Sequence, residues 1–93
     1  MLRLSFEQAG FDVIPAQCRA ARALLGLSQK DLATRSGVST RAVAAFELGE
    51  TTPTYTTLCK LQQVLISAGV RFTHEDERIG VYLHHPITDS RSY

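Results

Sequence analysis

Few residues in this chain have the chemistry of a reacting or ligating group, and their spacing narrows what they can do. Cys18 and Cys59 have neither CxxC spacing nor histidines at metal-ligand spacing, and each sits inside an apolar helical pattern, so both are expected as buried free thiols. His74, Glu75, Asp76, Glu77, His84 and His85 bring ligand types close together near one end, but no spacing among them matches a metal site, and a polar hairpin connector accounts for them. No nucleophile–base pair and no phosphate-cradling glycine loop occurs, so the chain is expected to have no catalytic, metal or cofactor chemistry. What remains is a set of hydrogen-bond donors at the starts of two adjacent apolar runs, Ser28-Gln29-Lys30 and Ser39-Thr40-Arg41. Backbone N–H groups at such a start favour an anion, and an arginine there can grip two acceptors at once.

Those donors need a scaffold. The chain has 93 residues, enough for one domain with one modest core; its 44% hydrophobic and 20% charged content is that of a folding, soluble protein rather than a disordered one. No run of eighteen apolar residues and no secretory signal occurs, so no membrane association and a cytoplasmic location are expected. The net charge of +1 says little, but its distribution says more. Between Pro15 and Leu48, Arg19, Arg22, Lys30, Arg35 and Arg41 stand against Asp31 and Glu47, a balance of +3. After Gly69, Arg71, Arg78 and Arg91 stand against Glu75, Asp76, Glu77 and Asp89, a balance of −1.

Periodicity predicts four helices. The first starts near Pro15, carries Cys18, Ala21, Leu24 and Leu25 at helical spacing and closes near Gly26. The second is capped by Ser28, with Asp31 completing a capping box, and runs to about Arg35. Gly37 supplies the positive φ of a sharp turn, and Ser39 caps a third helix from Thr40 to about Leu48. Thr54 or Thr56 caps a fourth, with Leu58, Leu61, Val64, Leu65 and Ala68 on its apolar face, ending at Gly69. Alternation at Val70 and Phe72 and again at Val81 and Leu83 predicts a hairpin with a long charged loop, and MLRLSF alternates as a strand would. The expected organisation is an arm or strand over residues 1–14, a helical domain over 15–69, a β-hairpin over 70–85 and a frayed tail over 86–93.

Counting Gln29 as the first position of the two-helix unit, Ala33 is fifth, Gly37 ninth and Val43 fifteenth, with Leu32, Val38 and Phe46 as further apolar contacts. A small residue where two helices cross, glycine at the turn and a packing residue between the helices are what a tight helix-turn-helix requires. Together with Arg22, Leu27-Ser28-Gln29, Glu47-Leu48-Gly49, Pro53 and Leu58-Cys59-Lys60-Leu61, this pattern from Ala16 to about Gly69 resembles the Cro/phage-repressor family, also called the XRE family.

The resemblance implies a mainly α fold: a lambda-repressor-like DNA-binding domain of four to five helices, here with a small C-terminal β-hairpin and an N-terminal strand added. It implies a transcriptional regulator of double-stranded DNA. Thr40, Arg41, Ala44 and Ala45 would occupy base-facing positions of the third helix, with Arg41 the one long donor. Because the alanines leave few side chains to interrogate bases, groove shape would carry part of the specificity. Phosphate contacts would come from Ser28, Gln29, Lys30, Arg35 and Ser39, and from Thr52, Thr54 and Tyr55 in the loop before the fourth helix. Arg22 and Glu47 would form a structural salt bridge. Leu48 departs from the family, which commonly carries arginine or asparagine there; the lost contact suggests that dimerisation supplies much of the affinity.

Leu2, Leu4, Phe6, Val70, Phe72, Val81 and Leu83 are the dimerisation candidates, since a two-stranded hairpin alone is marginal and a third strand would stabilise it. A repressor acting as a homodimer on a pseudo-palindromic operator is the expectation. The rival is a protein-interaction module, an antitoxin or antiactivator, that pairs a protein partner on its strand edges.

Overall fold

A computed structural model describes residues 13–84 as four helices followed by a two-stranded antiparallel hairpin. The helices are α1 (Pro15–Leu25), α2 (Gln29–Ser36), α3 (Thr40–Glu47) and α4 (Tyr55–Ser67); the strands are β1 (Val70–Glu75) and β2 (Arg78–Leu83). The proposed N-terminal strand with Leu2, Leu4 and Phe6, and the tail after His84, lie outside the described residues.

Local chemistry sets each boundary. Pro15 occupies the first turn of α1, where its missing N–H costs nothing, and the Ile14 N–H donates to Gln17 Oε1 at 3.1 Å. Ser28 and Asp31 form the expected capping box: Ser28 Oγ accepts from the Asp31 N–H at 2.9 Å, and Asp31 Oδ2 accepts from the Ser28 N–H at 3.0 Å. Gly37 takes φ +78°, a left-handed conformation in which a Cβ would crowd the carbonyl, and lets the chain reverse between α2 and α3. Ser39 Oγ then accepts from the Ala42 N–H at 3.0 Å. Of the two threonines expected at the start of α4, Thr54 is the cap, accepting from the Thr57 N–H at 3.2 Å.

One core serves helices and hairpin alike. Val13, Cys18, Ala21, Leu32, Ala33, Val43, Phe46, Leu58, Leu61, Leu65, Val70 and Phe72 are buried in a single cluster. α2 packs on both α3 and α4, α1 packs on α3 and on β2, and α4 runs into β1. The apolar stripes differ from expectation in detail. Leu24 is 45% exposed and Ala68 is exposed, whereas Gln17 and Gln62 are buried. Cys59 is half-buried rather than buried, because it sits at the edge of the core-facing side of α4.

The hairpin corrects a second expectation. Its loop is not long: pairing continues from Val70↔Leu83 to Glu75↔Arg78, leaving Asp76-Glu77 as a two-residue turn with Asp76 at φ +53°. Aspartate tolerates that conformation, and a tight turn follows the strand twist. The charged stretch carries no strand signal in the sequence because this end of the hairpin projects past the core, so residues on both faces are solvated and no alternation marks the strand.

Gln17 explains how the hairpin is held. It is 3% exposed, and its Nε2 donates to the carbonyls of Gly80 at 2.8 Å and Thr73 at 3.2 Å, a paired position of the two strands. We expect Gln17→Leu, close in volume but without polar atoms, to lower stability by about 2 to 4 kcal/mol, because the two bonds to the hairpin and the one from the Ile14 N–H are all lost. Amide hydrogen exchange should accelerate in β1 and β2 before it does in α2 and α3; equal acceleration everywhere would show that Gln17 has no particular hold on the hairpin.

Candidate nucleic-acid interface

α3 is amphipathic by position. Val43, Phe46 and Glu47 are buried, Thr40, Arg41 and Leu48 are exposed, and Ala44 and Ala45 are half-buried. At 100° per residue, Thr40, Ala44, Leu48 and Arg41 span about 100° of the helix circumference, Phe46 lies opposite them, and Val43 and Glu47 flank the Thr40 edge. The base-facing candidates therefore share an outward face, with Ala45 at its margin. Leu48 adds an apolar side chain, 72% exposed, at the end of that face.

The buried side of the same helix carries an ionic hub. Arg22 reaches Glu47 through two parallel bonds, Nε to Oε2 and Nη2 to Oε1, both 2.7 Å, with side-chain exposures of 19% for Arg22 and 1% for Glu47. Oε1 also accepts from Gln29 Nε2 at 3.0 Å, and Oε2 accepts from the Cys18 thiol at 3.2 Å. A carboxylate offers about four acceptor sites, and here donors from α1 and α2 fill them all. Burial pushes the Glu47 carboxyl toward the neutral form, but the bonds from Arg22, Gln29 and Cys18 outweigh it and hold its pKa below the ordinary range. Burial, then the bond to Glu47, push the Cys18 thiol well up, so it is a donor and not a nucleophile. Hydrogen bonding to Glu47 raises the Arg22 guanidinium in turn.

The network reaches the backbone as well. Arg22 Nη1 donates to the Leu27 carbonyl at 3.0 Å, fixing the entry into α2, and Arg19 Nη1 donates to the carbonyl of Glu47 at the end of α3. The expected Arg22–Glu47 pair is thus part of a larger brace between α1, α2 and α3. Arg19, Gln17 and Cys18 were not expected in polar roles; three donors on successive positions of α1 become visible only once the helices pack.

The phosphate candidates are spread over several elements. Ser28 and Gln29 sit at the start of α2, with Ser28 exposed and serving as the cap and Gln29 half-buried beside Glu47. Hydrogen bonds from Ser28, first its backbone N–H, hold the Asp31 carboxyl below its usual pKa, so it stays ionised in the capping box. Lys30 is exposed on the first turn of α2, and Arg35 is exposed on its last. Ser39 caps α3, while Thr52, Thr54 and Tyr55 are exposed at the entry to α4. Thr54 is occupied as a cap and also donates to Thr57 Oγ1 at 3.1 Å.

Val70 and Phe72, among the dimerisation candidates, are buried in the chain's own core, with Val81 and Leu83 half-buried against it. The exposed apolar residues of the hairpin are Ile79, at 47%, and Tyr82, at 51%. Among the described residues no cluster of side chains could hold a metal ion, and no helix is long and apolar enough to cross a membrane.

Two short capped helices joined by a glycine turn, the second with one buried and one exposed face, define a helix-turn-helix domain. A helix-turn-helix family model of the Cro/C1 type matches residues 19–66, and the chain belongs to that family, the XRE family of DNA-binding regulators. A search of curated proteins finds no match.

Proposed function

We propose that the protein is a sequence-specific transcriptional repressor that binds a pseudo-palindromic operator as a homodimer. The observation that carries this reading is the outward face of α3, capped by Ser39, on which Thr40 and Arg41 stand exposed at the N-terminal end. An α-helix entering the major groove by that end presents its first side chains to base edges. Arg41 takes the O6 and N7 acceptors of guanine, while Thr40 and the methyls of Ala44 and Ala45 meet thymine methyls. Ser28, Gln29, Lys30, Arg35, Ser39, Thr52, Thr54 and Tyr55 fix the register through phosphates. With Leu48 in place of a polar residue and little net charge, one copy binds weakly. A dimer would place two α3 helices in successive major grooves, with half-site centres about 34 Å apart or a multiple of that.

Selection of bound sequences from a random duplex library at physiological salt tests this directly. The expected product is a short inverted repeat, and Arg41→Ala should weaken binding to it by about 1 to 3 kcal/mol, with relaxed preference at one base pair per half-site. An unaltered sequence preference in the variant would remove Arg41 from base recognition.

A second reading, a protein-interaction module such as an antitoxin or antiactivator, is favoured by the exposed Ile79 and Tyr82 on the hairpin. Under it, charged substitutions at Ile79 and Tyr82 abolish partner binding while Arg41→Ala is silent.

A further inference from the structure

One of the bonds to Glu47, from Gln29 Nε2 to Oε1 at 3.0 Å, links the interior of the helix-turn-helix to the start of α2. Gln29 is the first residue of α2 and half-buried, so one end of its side chain lies in the hub while the helix start it belongs to faces out. We propose that Glu47 is a positioning residue for DNA binding: its carboxylate fixes the orientation of the Gln29 amide so that the second Nε2–H of Gln29 is presented to a backbone phosphate. The inference rests on the reading of this chain as a DNA binder.

The argument is one of donor and acceptor chemistry. An ionised carboxylate only accepts, so the Gln29 amide must turn its NH2 end toward Glu47. The bidentate contact from Arg22 keeps that carboxylate charged and stationary. An amide nitrogen carries two hydrogens; one is used by Glu47, which leaves the other for a phosphate oxygen at the start of α2, where the helix dipole favours an anion. Without Glu47 the amide is free to turn over and present its carbonyl oxygen, which a phosphate repels. Arg22 Nη1 holds the Leu27 carbonyl at 3.0 Å, so the same brace also sets the backbone from which Gln29 projects. Glutamine in place of Glu47 keeps the shape but removes the polarity: two facing amides can pair in either sense, so the orientation of Gln29 is no longer imposed.

The test is a double-mutant cycle on the duplex that wild type selects, using Gln29→Ala, Glu47→Gln and the double variant, with folding checked by circular dichroism. In the wild-type background Gln29→Ala should weaken binding about tenfold, the size of one hydrogen bond to a charged acceptor. In the Glu47→Gln background the same substitution should cost less than about twofold. Equal losses in both backgrounds, or no loss in wild type, overturn the role of Glu47 while leaving the protein a DNA binder. A wild type that binds no duplex overturns the DNA-binding reading and this inference together. A measurement on wild type alone covers the case in which Glu47→Gln does not fold: titrating labelled protein with duplex, one Gln29 side-chain amide proton should move and the other should keep its Glu47-bonded shift. Movement of both, as the amide leaves Glu47, overturns the proposal.

Discussion

Arg22→Ala should lower the free energy of unfolding by about 3 to 5 kcal/mol, seen as a fall in the urea midpoint at unchanged slope. Glu47 is the reason. Its side chain is 1% exposed, so removing Arg22 strands a buried carboxylate that water cannot reach. The reverse substitution, Glu47→Ala, should cost less, because Arg22 is 19% exposed and the freed guanidinium can turn toward solvent. Equal losses from the two variants would mean that the pair acts through packing and not through charge.

The acid side of the stability curve follows from the same pair. In wild type the Glu47 pKa is lower folded than unfolded, where a glutamate titrates at about 4.3. The stabilisation is therefore complete above that value and is lost as pH falls from it through the depressed folded pKa. In Arg22→Ala burial dominates and the folded pKa lies above the unfolded one, so stability is lost as pH rises instead. The gap between wild type and variant should thus shrink on acidification. Parallel curves would show that the Glu47 charge does not distinguish the two proteins.

Leu32→Ala is the second large effect. Leu32 is fully buried in α2, the helix that packs on both α3 and α4, and a leucine truncated at such a site costs about 3 to 5 kcal/mol through lost transfer energy and the cavity left behind. For a domain of this size each kcal/mol moves the melting temperature by about 4 to 8 °C, so Tm should fall by roughly 12 to 40 °C. A calorimetric Tm within 2 °C or so of wild type would mean that the surrounding side chains collapse into the space.

The helices were legible because their ends are written in local chemistry. Ser28 with Asp31, Gly37 and Ser39 each act within a few residues of themselves, so α2, the turn and α3 lie within a residue or so of where periodicity and capping place them. What was hidden depends on partners distant in the chain. Nothing near Gln17 announces that its amide will meet Gly80, 63 residues on. The Gln29–Glu47 bond spans 18 residues, and only packed helices bring its ends together. Gln62 shows the limit most plainly: it is 1% exposed on the core side of α4, and neither of its amide atoms has a hydrogen-bond partner among the described residues. Local propensity supplies no reason for a polar group there, and it offsets part of the stability that Leu61 and Leu65 contribute beside it. The hairpin was legible where it lies on the core and not where it projects into water. The membership of the helix-turn-helix family was legible from Arg22, Gln29, Ala33, Gly37 and Glu47 together.

The double anchoring of α3 has a kinetic consequence. Ser39 holds its first turn, and Arg19 and Arg22 hold its last, so the helix keeps one shape whether or not anything lies against it. A segment already ordered in solution loses little conformational freedom on docking. Encounter with a duplex should accordingly be governed by diffusion and charge, with a rate that falls steeply as salt is added and responds little to helix-promoting cosolvents.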